Sequence, residues 1–299
     1  MSENVIPWSK AYDEKRLRLL DVLPLSLPLC ICIEPTNVCN FKGQMCWQST
    51  KAYREHGGPF QSMDMELLDK FLQDAKSFCT ATGKRIKLIK LYSTGEPLLH
   101  KEIGEMVRRI KAAEVCDQIE ITTNASLLTQ EMAKEFVAYG LDYLRVSMYS
   151  VRKEHHREVT QTRVDPETIA QNVRFLYDYR HRGGKQKPFI CAKIMDMGEV
   201  ENEEFRSIYA PISDEQLIDI PWELPKTEES ALSKLYGGKE AGKEAQKKFV
   251  ESSVFKERKA CRYPLCATCE LPLHDRPEDA IDDLPVERLS WKEGQEDRT

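Results

Sequence analysis

Two cysteines seven positions apart, Cys39 and Cys46, sit in the stretch IEPTNVCNFKGQMCWQST (33–50), with Gly43 between them. Thiols that converge from one compact loop are the ligand type that iron–sulfur clusters use, and this spacing allows convergence. A second group, Cys261, Cys266 and Cys269, lies in CRYPLCATCELPLH, with His274 closing the segment. Three sulfurs and an imidazole within one short segment make a complete tetrahedral Cys3His set for zinc; loop cysteines without metal are the plainer alternative. The chain holds ten cysteines in all. In a reducing compartment clustered cysteines point to metal or redox chemistry and not to disulfides. The other five, Cys30, Cys32, Cys79, Cys116 and Cys191, read as small buried hydrophobes.

Something must hold these residues. The chain has 299 residues, 41% hydrophobic and 31% charged, enough to bury a barrel-sized core. The net charge of −5 is spread over both signs, so neither a nucleic acid nor a membrane surface is the expected partner. The longest apolar run, LPLSLPLCICI, carries two prolines and is too short to span a bilayer. The charged first twenty residues lack a signal-type segment, and the protein is read as cytoplasmic.

Strand-length apolar runs occur at 29–34, 86–93, 118–123, 143–149, 188–195 and 215–220. Helical patterns fill the gaps at 64–78, 101–114, 129–140, 165–182 and 202–212. Asp64 and Asp165 stand where N-caps belong, Pro166 suits a first helical position, and Gly140 suits a helix stop. Strands alternating with helices imply a parallel α/β sheet, either open and doubly wound or a partial (β/α)6 TIM-like barrel. In both, ligands gather at the carboxyl ends of the strands. The polar, glycine-containing clusters obey that rule: EPTNVCNFKGQMC, STGEP, TTNAS, SMYS and AKIMDM all lie at strand ends. Four segments result: a lead-in over 1–28, the barrel over 29–224, a Lys/Glu-rich connector over 225–260, and a cysteine-bearing extension with a polar tail over 261–299.

These residues resemble the radical S-adenosylmethionine (radical SAM) superfamily. EPTNVCNFKGQMCWQ is similar to its Cys-x3-Cys-x2-Cys loop, with Cys39 and Cys46 on the first and third cysteines and Gly43 on the middle one. LYSTGEPLLHKEI, IEITTNASLLT and GLDYLRVSMYS resemble its second-, third- and fourth-strand segments, in the same order. KACRYP resembles the start of a SPASM or twitch extension, which would make Cys261, Cys266 and Cys269 part of an auxiliary iron–sulfur site instead of a zinc site. The resemblance implies a [4Fe–4S] cluster, S-adenosylmethionine chelated at its open iron, and a 5′-deoxyadenosyl radical that takes hydrogen from a small-molecule or peptide substrate. It also implies a reducing partner such as flavodoxin or ferredoxin. By position, Ser93, Thr94, Gly95 and Glu96 would cradle the methionine end and Glu96 would accept from the ammonium. Ser147 and Ser150 would meet the ribose, Asn124 lies near, and Lys193 would meet the carboxylate.

Glycine cannot ligate iron. Position 43 therefore leaves three readings: a site variant of an active enzyme, a relative that has lost the chemistry, or a substitute ligand such as Cys30 or Cys32. The non-catalytic reading leaves a fold that binds S-adenosylmethionine or a partner, and a zinc-containing interaction protein is a third class.

Overall fold

The computed structural model describes residues 24–44, 46–219 and five positions between 240 and 247. All of them lie in the first of two units into which the chain divides, Met1–Ser252. Most of the lead-in, most of the connector and the whole cysteine-bearing extension, with Cys261, Cys266 and Cys269, fall outside the described residues.

Six parallel strands form one open sheet in sequence order: β1 (Cys30–Ile33), β2 (Ile86–Leu91), β3 (Cys116–Thr123), β4 (Tyr143–Met148), β5 (Phe189–Met195) and β6 (Glu215–Asp219). Every pairing is parallel, so all six carboxyl ends share one rim. The helices are α1 (Lys51–His56), α2 (Met65–Thr82), α3 (Ile103–Ala113), α4 (Gln130–Tyr139), α5 (Lys153–Thr160), α6 (Pro166–Arg182) and α7 (Glu199–Tyr209). This is the open sheet of a partial TIM-like barrel, and it removes the doubly wound alternative.

Alternation along the strands separates two faces. Ile89, Leu91, Ile119, Ile121, Leu144, Val146, Ile190 and Ile194 face the helices in one continuous core, with α3 adding Met106, Val107 and Ile110. The opposite face carries a small apolar group, Tyr143, Cys191 and Leu217 with Phe189, whose aromatic rings stack at 5.4 Å. Above and beside it the same face is polar. Lys193 Nζ donates to Asp219 Oδ2 at 2.8 Å, and Lys90 Nζ to Tyr92 Oη at 3.3 Å. Cys30 and Cys32 are exposed there, which corrects their reading as buried hydrophobes. The reason is topological: β1 is an edge strand of an open sheet, so Ile31 and Ile33 take the core while the thiols face out. Cys116 and Cys191 are buried as expected, and Cys79 is half-buried.

Local chemistry sets the helix ends. Asp165 accepts from Glu167 N at 3.1 Å, with Pro166 in the first turn. Asp64 occupies the N-cap of α2 without a side-chain cap bond. Gly140 ends α4 at φ 78°, a left-handed value that costs glycine least. Two helices escape sequence reading, α1 and α5. The α5 sequence KEHHREVT has a single apolar residue, Val159, and so no apolar stripe to betray a 3.6-residue period.

The base of the sheet is tied by Arg180, fully buried at the end of α6. Its guanidinium grips Asp214 with two bonds, at 2.6 and 2.9 Å, and donates to Pro188 O at 2.6 Å. Asp214 in turn accepts from Ile190 N at 2.7 Å. Arg180→Ala strands that carboxylate and two carbonyl partners, so stability should fall by about 3–5 kcal/mol. Urea denaturation with an unchanged slope and a lowered midpoint is the expected result.

Candidate functional site

The rim begins with the loop after β1. Its backbone is held on two sides. Asn37 N donates to Gln61 O at 3.1 Å, and Met63 N to Pro35 O at 2.8 Å. On the other side Lys42 N and Gln44 N donate to Thr160 O and Val159 O, both at 2.9 Å. These last carbonyls belong to the final turn of α5, where a helix leaves acceptors unsatisfied. The unforeseen helix therefore seats the cysteine loop.

The turn after β2 closes on the same loop. Glu96 N donates to Val38 O at 2.8 Å. A Cβ on Gly95 would stand 2.0 Å from Thr36 O and 2.8 Å from Val38 O, so only glycine permits this approach. The third strand joins through amides. Asn124 Nδ2 donates to Asn40 Oδ1 at 2.9 Å, and Asn40 Nδ2 to Ser126 Oγ at 2.8 Å. Beside them Ala125 is fully buried with φ 54°, a conformation that costs an L-residue about 1 kcal/mol or more.

Cys39 feels the charge of Cys46 across this loop. Burial pushes the Cys39 thiol up to about 11; the Phe41 amide opposes that shift, and Glu96 and Cys46 add to it. Burial also raises Cys46, against donation from the Gln48 and Ser49 amides. Tyr149, at the end of β4, has its phenol raised by burial and then by Cys46, Cys39 and Glu96. One neighbourhood therefore contains both thiols, the tyrosine and the carboxylate. Gly43 belongs to it: a Cβ there would lie 3.6 Å from Cys46 Cβ and 3.9 Å from the Tyr149 ring. Gly43 is also absent from the residues of positive φ.

The remaining candidates are spread along the rim. Glu96 is 3% exposed. Its Oε1 accepts from Leu98 N at 3.0 Å and Thr123 Oγ1 at 2.5 Å, and its Oε2 from Asn124 N at 2.8 Å. Burial raises its pKa and these donors oppose the rise. Thr94 is half-buried, and Ser93 is exposed. Ser147 is half-buried and pairs in register with Lys193. Ser150 is fully buried and gives its hydroxyl to Glu201, which also accepts from Val151 N at 3.1 Å and meets His155 Nδ1 at 3.1 Å. Sequence reasoning missed Asn40, Glu201 and Glu34. Glu34 Oε1 accepts from Thr94 N at 2.6 Å, Thr94 Oγ1 at 2.5 Å and Gly95 N at 3.3 Å. Only its place at the end of β1 could have flagged it.

The rim is that of a known class. The Radical SAM superfamily model matches residues 33–210, more than half of the chain, and the protein belongs to that superfamily. Over 163 residues it is 31% identical to the tungsten-containing aldehyde ferredoxin oxidoreductase cofactor-modifying protein of Pyrococcus furiosus, covering 54% of this chain and 42% of that one. It is 29% identical over 153 residues to GTP 3′,8-cyclase of Lactiplantibacillus plantarum, covering 51% and 40%. The chain thus matches about two fifths of the length of these relatives. In fold it is similar to Streptococcus suis SuiB bound to S-adenosylmethionine, with a TM-score of 0.53 at 14% identity over 78% of this chain and 50% of that one.

The family implies a [4Fe–4S] cluster and S-adenosylmethionine. The donors of the loop do not fit the cluster. Three thiols are called for and two are present, and no group of three His, Cys, Asp or Glu poised for a metal occurs among the described residues. Cys30 and Cys32 lie within β1, in register with Leu88 and Lys90 of β2, and not in the loop. S-adenosylmethionine is a different case, since Ser147, Lys193 and Glu34 all keep surface at the rim.

Gly95→Ala tests the closure of this rim. The added methyl meets the backbone carbonyls of Thr36 and Val38, so stability should drop by about 1–3 kcal/mol. Amide exchange at Val38 and Glu96 should accelerate more than exchange at the Arg180 base.

Proposed function

We propose that this chain binds S-adenosylmethionine at the rim, and that hydrogen abstraction from an organic substrate is held back at one position, Gly43. Cys39 and Cys46 would be two of the three ligands of a [4Fe–4S] cluster, whose chemistry would be one-electron reduction of S-adenosylmethionine. The protein's part is to present thiols, to orient the methionine end against the 93–96 turn, and to offer Ser147 and Lys193 to the ribose and the carboxylate. Ser150 and Asn124 act beneath them as supports, through Glu201 and Asn40 respectively. The substrate is a peptide or a sugar-like small molecule, the electron donor a flavodoxin or ferredoxin, and the setting cytoplasmic. Cys261, Cys266 and Cys269 belong to a SPASM- or twitch-like extension that holds an auxiliary iron–sulfur cluster or zinc.

The observation that carries this reading is the shape of position 43. The loop lies as a loop with one side chain missing: a Cβ fits at ordinary contact distance and the backbone is not left-handed. The same glycine favours a second reading, a non-catalytic protein that binds S-adenosylmethionine or a partner.

Gly43→Cys separates them. After anaerobic reconstitution the variant should gain about four irons with matching sulfide over wild type, brown absorbance, and reductant-dependent 5′-deoxyadenosine. A folded variant that gains neither iron nor cofactor cleavage hands the lead to the non-catalytic reading.

A further inference from the structure

Two thiols on the inner face of the sheet have no part in the rim. Cys30 and Cys32 are both exposed there, while Ile31 and Ile33 go to the helix side. The cause is strand alternation: residues i and i+2 project from one face with their side chains roughly parallel. Cys32 is near enough to Cys30 to act on its thiol by charge and by side-chain hydrogen bonding. Two sulfurs so placed can be joined in two ways, and distance decides between them. Two strand rises put their β-carbons about 6.6 Å apart. A disulfide needs roughly 3.8 Å between β-carbons. Closing one would pull β1 out of the parallel register that pairs Cys30 with Leu88 and Cys32 with Lys90. A metal ion held between two sulfurs spans about 4.6 Å, two bonds of about 2.3 Å, and the side chains reach that by leaning together while the strand stays paired.

We propose that Cys30 and Cys32 form a two-thiolate site for a soft monovalent cation, Cu(I) being the ion of that class. The ligand set sorts the alternatives. Thiolates select soft ions, whereas magnesium, calcium and manganese take oxygen donors. Zinc takes four ligands, and no third His, Cys, Asp or Glu is poised with this pair among the described residues. Charge supports the same choice. Two thiolates and Cu(I) sum to one negative charge. Lys90, in register with Cys32, acts on Cys30 as a cation and supplies the opposite sign. Glu120 opposes Lys90 on this face, and its Oε1 lies 3.9 Å from Arg145 Nε, which offsets it. The pair sits within β1 and not in the loop that follows, so it is separate from Cys39 and Cys46 and requires neither iron nor S-adenosylmethionine.

The test uses the full-length, reduced protein under anaerobic conditions, with Cu(I) delivered as its bicinchoninate complex. A thiolate bound to copper is no longer a free nucleophile, so a saturating dose should slow iodoacetamide labelling of Cys30 and Cys32 together by roughly tenfold or more, read at each residue by peptide mass spectrometry. Zinc at the same dose should leave both thiols labelling at the free rate. Cys30→Ser/Cys32→Ser should take up one equivalent of Cu(I) fewer than wild type. Cys30→Ser alone should lose that same equivalent, because one thiolate and a hydroxyl do not hold a soft ion. Both positions are exposed, and the labelling is read on wild type, so the result does not hang on how a variant folds. Protection of one thiol without the other, protection by zinc, or equal copper uptake by wild type and the folded double variant overturns the assignment.

Discussion

Everything at the rim depends on one close backbone approach, the 93–96 turn laid against the loop that follows β1. Gly95 has no Cβ, so Thr36 O and Val38 O can stand where a side chain would otherwise be. Once they do, Glu96 N reaches Val38 O and the Glu34 carboxylate reaches the amides of Thr94 and Gly95. Glu96 then turns its side chain toward β3 and locks Thr123 and Asn124. Three strand ends become one surface. Parallel pairing alone would bring those ends to the same side of the sheet but would not join them.

Much of the fold was legible because it rests on repeating patterns. All six strands appear within a residue or two of their apolar runs, and five of the helices follow from periodicity and caps such as Asp165 and Gly140. The rim clusters were legible for the same reason: once the strands are placed, their carboxyl ends are placed. What escaped is whatever depends on partners distant in sequence. Glu34 reads as a charged residue closing a strand, yet its hydrogen bonds come from sixty positions later, at Thr94. Asn40 reads as a turn residue, yet it bonds Asn124 and Ser126 across the rim. Ser150 reads as a rim hydroxyl, yet α7 brings Glu201 over it. The misreading of Cys30 and Cys32 has another origin: an alternating strand declares two faces, but not which face a missing neighbour leaves open.

The open inner face has its own consequence. Lys90, Glu120, Arg145, Lys193 and Asp219 lie along it in parallel strands, and Arg145 and Lys193 keep 19% and 23% of their side-chain surface. Charges at such depth are costly in a sealed core and tolerable where water or a polar ligand can reach them. The helix-facing side carries the stability of the sheet through its aliphatic core. The inner side is thereby released from packing and can hold polar side chains.

The cysteine loop is built so that its form does not depend on a metal. Where metal is the main cross-link, as in small zinc domains, the unliganded loop unfolds. Here the loop is fastened by protein alone: Lys42 and Gln44 to the end of α5, Asn37 to Gln61, Asn40 to Asn124, and Thr36 and Val38 beneath Gly95. None of these bonds involves a thiol. Burial raises the pKa of both thiols, against donation from the Phe41 amide to Cys39 and from the Gln48 and Ser49 amides to Cys46. A glycine at position 43 offers iron no ligand and leaves every one of these fastenings in place. That independence of scaffold from ligand set explains why the geometry at Gly43 is still that of a position awaiting a side chain, and why the rest of the rim keeps its form whether or not iron is ever bound.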